Sequence, residues 1–217
     1  TEDTDNNKKE NNSEITEIPE ITENPLILVN GIVLLALTVL TAVFISLYAS
    51  NVYKGNKKKA VLFFTVIAAF TALSLFCFFG CAATTVKGII FCLLLAFSSY
   101  EDIKTRECEN YVHLMIVIAA FIGTDMSALP GMLLSALIIG GIMLTTAAVT
   151  KSSIGGADIK LSAACAFMLG TVQGMIGLMI GLVLAVIINS IKNRKKKHDG
   201  FPLIPYLAVG FTAAYFM

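Results

Sequence analysis

Two aspartates stand out as residues placed to do chemistry. Beyond the first 24 residues the chain has only seven acids: Glu101, Asp102, Glu107, Glu109, Asp125, Asp158 and Asp199. Asp102 follows directly on one apolar run and Asp158 directly precedes another. An ionisable group at membrane depth is costly and is a functional hypothesis by default. Such carboxylates can do acid–base work or bind and relay cations. The competing reading is that each merely caps a helix, Asp158 as the N-cap of the helix that starts there. Two acids on one face, in similar surroundings, favour function. Gly155-Gly156-Ala157 just before Asp158 adds backbone freedom, which suits an extended peptide lying beside a carboxylate.

The elements that must position these acids follow from the apolar pattern. Of 217 residues, 56% are hydrophobic and 14% charged, and the mean hydropathy is +0.79. Soluble domains carry roughly 25% charged residues, so this chain needs lipid as its solvent. A bilayer core of ~30 Å takes ~20 helical residues. Eight apolar runs, 26–50, 60–83, 87–100, 111–123, 128–150, 158–170, 172–191 and 202–217, predict about eight transmembrane helices. The runs lack period-2 alternation and must satisfy their own backbone, so the fold class is all-α and polytopic. The runs at 111–123 and 158–170 are short, so either they extend into flanking polar residues or neighbours bury them.

Cytoplasmic loops are rich in Lys and Arg. Counting from an outside amino terminus, thirteen of the sixteen basic residues fall on the inside loops. The expected setting is therefore a multi-pass protein of the cell (inner or plasma) membrane, with both aspartates at the cytoplasmic face. Residues 1–24 hold eight acids and no apolar periodicity, which predicts a disordered tail, distinct from a signal peptide. Residues 25–217 form one membrane domain. The Lys192–Lys197 run reads as a topology anchor at anionic lipid. A net charge of +1 argues against a nucleic-acid partner. The five cysteines form no C-x-x-C pair, and His113 and His198 stand apart from them. No metal and no cofactor is expected.

Taken together, the segments around the aspartates are more specific than either alone. The run from Asp102 through Lys104 and Arg106 to Asn110 resembles the first motif of type IV prepilin peptidases, with Asp102 and Asn110 at its ends. Gly155-Gly156-Ala157-Asp158-Ile159-Lys160 resembles their G-x-G-D-x-K signature, which some preflagellin peptidases also write with Ala. Phe201-Pro-Leu-Ile-Pro-Tyr-Leu-Ala208 is similar to a third, Pro-rich segment. The likeness spans about residues 87–217. It departs at Glu109, Cys108, Glu107 and Ala157, and the paired C-x-x-C motifs of bifunctional relatives are missing, so N-methyltransferase activity is not carried over.

The resemblance implies a GxGD-type membrane aspartic endopeptidase in which Asp102 and Asp158 form a catalytic dyad. It implies prepilin-like substrates, type IV pilin, Flp-type pilin or archaellin, each with a short basic leader before a hydrophobic helix. Two nearby carboxylates share a proton. One activates water while the other, protonated, polarises the scissile carbonyl. Gly155, Gly156, Lys104, Asn110 and Lys160 are the expected supporting residues, Lys160 orienting Asp158 or sitting at the headgroups. Glu107 and Glu109, with Glu101, suggest either an acidic rim for the leader's lysines or a solvated loop partly neutralised by Lys104 and Arg106. The glycines at 140–141, 174, 177 and 181 are expected to pack among the protein's own helices, although a substrate helix could also use them. Two readings compete: a small ion- or proton-coupled transporter, and a non-catalytic pilus or secretion assembly factor.

Overall fold

A computed structural model of the chain describes residues 25–52, 57–106, 108–149, 155–192 and 202–217. Eight α-helices occur among them: α1 Pro25–Val52, α2 Lys57–Phe79, α3 Ala83–Thr105, α4 Asn110–Ala120, α5 Leu129–Val149, α6 Gly156–Leu169, α7 Thr171–Lys192 and α8 Ile204–Tyr215. A 3-10 turn at Met126–Ala128 leads into α5, and no strand occurs among the described residues. The acidic segment 1–24 and most of the basic loops lie outside them.

Each apolar run became one helix, because a chain without polar relief must satisfy its backbone internally. Five helices are long and apolar enough to cross a membrane, and the protein is a polytopic, all-α membrane protein. Large apolar side chains such as Phe44, Phe70, Leu137 and Val186 stand exposed on these helices, as lipid-facing surfaces require. The helices α4, α6 and α8 are shorter, at 11, 14 and 12 residues. Of the two explanations for short runs, burial holds for α6. Leu161, Ser162, Cys165 and Ala166 have no exposure, and α4, α5, α7 and α8 all pack on it. Gly170, at φ +87°, lets α7 start directly after α6, a conformation that costs any other residue steric energy.

Two boundaries differ from the pattern. The third run was expected to end at residue 100, yet α3 continues to Thr105. Glu101 and Asp102 therefore sit inside its last turns rather than beyond it. Polar side chains do not end a helix that can still bond its own backbone, and Thr105 Oγ1 donates to the Glu101 carbonyl at 2.9 Å. The helix stops at Arg106, which takes the left-handed conformation (φ +58°) and returns its N–H to the Asp102 carbonyl at 3.0 Å, an αL cap made without glycine. The helix α6 begins two residues before its apolar run, so Asp158 is in its first turn. Its N-cap is Gly155, not Asp158.

The arrangement that matters most is indirect. Among the described residues α3 and α6 do not pack on each other, whereas α4 and α8 each pack on both. The helices bearing Asp102 and Asp158 are thus held in relation by two intermediaries.

Candidate functional site

Both aspartates are buried, Asp102 at 6% exposure and Asp158 at 9%. They come from the carboxyl end of α3 and the amino end of α6, and the charge of Asp102 is felt at Asp158. Each is gripped by backbone. Asp102 Oδ2 accepts the Ile204 N–H at 3.1 Å, and Asp158 Oδ2 accepts the Gly155 N–H at 3.1 Å. The first bond solves a local problem. A carboxylate at a helix carboxyl end faces the negative pole of that helix. The amino end of α8 supplies a positive pole and an unpaired N–H in compensation. Asp158 has the same kind of support from its own helix. Both acids therefore sit at helix amino termini, in places made for negative charge.

The supporting residues divide. Asn110 opens α4, and its Oδ1 accepts a hydrogen bond from Lys160 Nζ at 2.9 Å. This joins the end of the first motif to the second. Lys160 was expected to orient Asp158 or to sit at the headgroups; its ammonium group reaches Asn110, since two residues along a helix point to different faces. Gly155 serves Asp158 with its backbone, and a Cβ there would lie 3.2 Å from Asp158 Oδ2. Gly156 faces open space. Lys104 is exposed, with Nζ 5.9 Å from the centre of the Tyr100 ring, a cation–π contact at the limit of useful range. Arg106 lies within electrostatic reach of Asp102.

The acidic rim is corrected in part. Glu109 is exposed and Glu107 lies outside the described residues. Glu101, however, is only 1% exposed, so it is not available to a substrate's lysines. Its Oε2 accepts the Glu109 N–H at 3.3 Å. The glycines at 174, 177 and 181 are filled by neighbours, with Ile139, Phe211 and Leu207 respectively against the position of an added Cβ. They pack among the protein's own helices and leave no room there for a substrate helix.

Sequence reasoning missed the Ile204 N–H and the burial of Glu101. Pro202 and Pro205 flanking Ile204 were the signal for the first, since proline marks helix starts. Nothing local marked the second. His113 is also buried, at 7% exposure, with the backbone of Ala157 and Asn110 beside its ring. Among the described residues no group of three or more His, Cys, Asp or Glu side chains gathers to hold a metal ion.

The chain was compared with known proteins. The type IV leader peptidase family model matches residues 89–190, close to half of the chain, from the first turns of α3 nearly to the end of α7. No curated protein matches, and no solved structure does. The matched stretch contains Asp102, Asn110, the Gly155–Asp158 turn and Lys160, the residues whose bonds join α4 to α6 and seat Asp158. Over residues 89–190 this chain is similar to the type IV leader peptidase family.

Proposed function

We propose that this protein is a membrane aspartic endopeptidase that removes the short basic leader from prepilin-like precursors. One observation carries the reading: two buried carboxylates from the two family motifs, on separate helices, stand within electrostatic reach of each other. Two such groups hold one proton between them more readily than none. The ionised member takes a proton from water, and the protonated member donates to the scissile carbonyl as charge develops there. The donors from Ile204 and Gly155 keep the acceptor oxygens in place through the cycle. They have no need to reorganise as the reaction proceeds.

In this reading residues 25–217 work as one unit in the cell membrane with the aspartates on the cytoplasmic side, where a leader ends and its hydrophobic helix begins. The basic loops support that orientation. The exposed side chain of Glu109 remains suited to a leader's lysines, whereas Glu101 is not. The direct test is co-expression with tagged prepilin-like precursors, followed by intact-mass analysis. Loss of a leader-sized mass that depends on this chain supports the reading. Intact precursors throughout, with folded enzyme present and pilin, Flp-type and archaellin substrates all tried, would overturn it.

The two glycines before Asp158 should behave differently. Gly155→Ala puts a methyl group 3.2 Å from Asp158 Oδ2, closer than ordinary contact. The carboxylate must turn, and the catalytic rate is expected to fall by about tenfold to a hundredfold, since small misplacements are costly at a reacting centre. Gly156→Ala meets nothing within 4 Å and is expected to keep wild-type cleavage, with a small gain in helix stability. Equal rates for the two variants would remove the assigned role of the Gly155 turn.

A further inference from the structure

Glu101 is the anomaly of the core. The other large side chains with less than 2% exposure are all apolar: Phe64, Phe91, Phe211, Leu75, Leu95, Ile116, Ile139, Met143, Leu161, Ile204 and Leu207. A carboxyl group among them costs several kcal/mol unless its oxygens are used. The dyad chemistry has no use for it. Its neighbour along the helix, Asp102, points a different way, because consecutive helical residues diverge by about 100°. Asp102 reaches the start of α8; Glu101 reaches the start of α4 through the Glu109 N–H. The last turns of α3 are therefore held on two sides, by the same two helices that connect α3 to α6.

One path of bonds follows from this. Glu101 on α3 accepts from Glu109, the N-cap of α4. Asn110, the next residue, accepts from Lys160 on α6. Lys160 is two residues from Asp158. The path leads from the helix of one aspartate to the helix of the other without passing through the dyad itself.

We propose that Glu101 is a positioning residue that fastens the Cys108–Asn110 stretch to α3 and thereby sets Asp102 against Asp158. The proposal rests on the peptidase reading for its consequence, but not for its geometry. Without the Glu101 acceptor the Glu109 N–H loses its partner, the start of α4 lifts from α3, and α6, which packs on α4 and is bonded to it through Lys160, shifts with it. Of the groups suited to a leader only Glu109 moves with the stretch, so for a precursor without leader lysines the loss falls on the catalytic rate rather than on substrate binding.

Cys108 reports on this fastening independently of activity. Its Sγ lies 3.4 Å from Ser98 Oγ on α3, and burial above all pushes its thiol up to about 12. A thiol so held reacts slowly with maleimide, which attacks through the thiolate. Cys81, exposed in the turn between α2 and α3, serves as the control for equal labelling conditions. The comparison is wild type, Glu101→Gln and Glu101→Leu, as full chains in detergent, with peptide-resolved maleimide labelling and precursor kinetics. Gln and Leu both remove the charge, but only Gln keeps the acceptor, so their difference reads the bond.

The expected result is Cys108 labelling about tenfold faster in Glu101→Leu than in Glu101→Gln. Labelling of Cys81 should be alike in all the variants. The catalytic rate should be lower in Leu on the order of a hundredfold, with the Michaelis constant for a precursor whose leader lysines are replaced held within about threefold. Glu101→Gln should restore both readouts. Should Glu101→Leu not accumulate, Glu101→Ala, whose cavity water can enter, gives the same comparison. Equal Cys108 labelling in the two variants overturns the fastening. Faster labelling with an unchanged catalytic rate overturns the positioning role. If the wild type cleaves no precursor, the peptidase reading falls, while the labelling still decides whether Glu101 holds the stretch.

Discussion

Asp102→Asn and Asp158→Asn are each expected to abolish precursor cleavage, with kcat/KM falling on the order of a thousandfold or more, and the double variant is expected to be no worse than either alone. The size follows from general acid–base catalysis, worth about 10² to 10⁴ for one positioned group. The lack of additivity follows because two groups that act as a unit are both lost when one is lost. Asparagine is the right replacement here. Its amide oxygen can still accept from the Ile204 N–H or the Gly155 N–H, which lie 3.1 Å from the native carboxylates. The helix ends stay seated and the protein should fold. What asparagine cannot do is take a proton from water. Intact-mass analysis of a tagged precursor, beside an unfolding midpoint for each variant, separates lost chemistry from lost structure. Normal cleavage by a well-folded Asp158→Asn would reduce Asp158 to a helix cap. Additive losses would mean that the two carboxylates work apart.

Much of this was legible in the chain before any coordinates. The helices were, because runs of 20 apolar residues have one way to bury their backbone polarity. The aspartates were, because acids are so scarce outside the tail that each position carries information. What was not legible depended on which helix lies beside which. Lys160 could be placed near Asp158 along the chain, but only the packing of α4 on α6 brings Asn110 within 2.9 Å of it. Glu101 read as a solvated acid next to Lys104, because a run that is apolar on all sides has no periodicity to say which flank turns inward. The seat of Asp102 on Ile204 spans 102 residues of sequence. The matched family stretch ends before α8, so that contact stands outside it as well. Local signals thus identified the parts, and tertiary contacts decided their partners.

The seating of α8 leads to the second large effect. Gly210→Ala should unfold the carboxyl-terminal helix pair and remove cleavage with it. A Cβ at Gly210 would fall on the Gly177 carbonyl oxygen, 2.5 Å from the Gly181 nitrogen and 2.9 Å from its Cα. Every one of these is a backbone atom, so no side chain can swing aside. The helices α7 and α8 meet main chain to main chain at this point, an approach that only small residues permit. Overpacking of a close contact costs about 1 to 3 kcal/mol when neighbours can yield. Here they cannot, and about 3 kcal/mol or more is expected. Gly141→Ala is the matching control, since nothing lies within 4 Å of its added carbon and alanine favours helix. Unfolding midpoints in detergent should fall sharply for Gly210→Ala and hold or rise for Gly141→Ala. The activity loss has its own reason. Moving α8 off α7 draws the Ile204 N–H from Asp102, leaving a buried carboxylate without its donor, which disfavours the ionised form. A Gly210→Ala protein with a wild-type midpoint would mean that α8 does not sit against α7 as described. The support for Asp102 would then have to come from elsewhere.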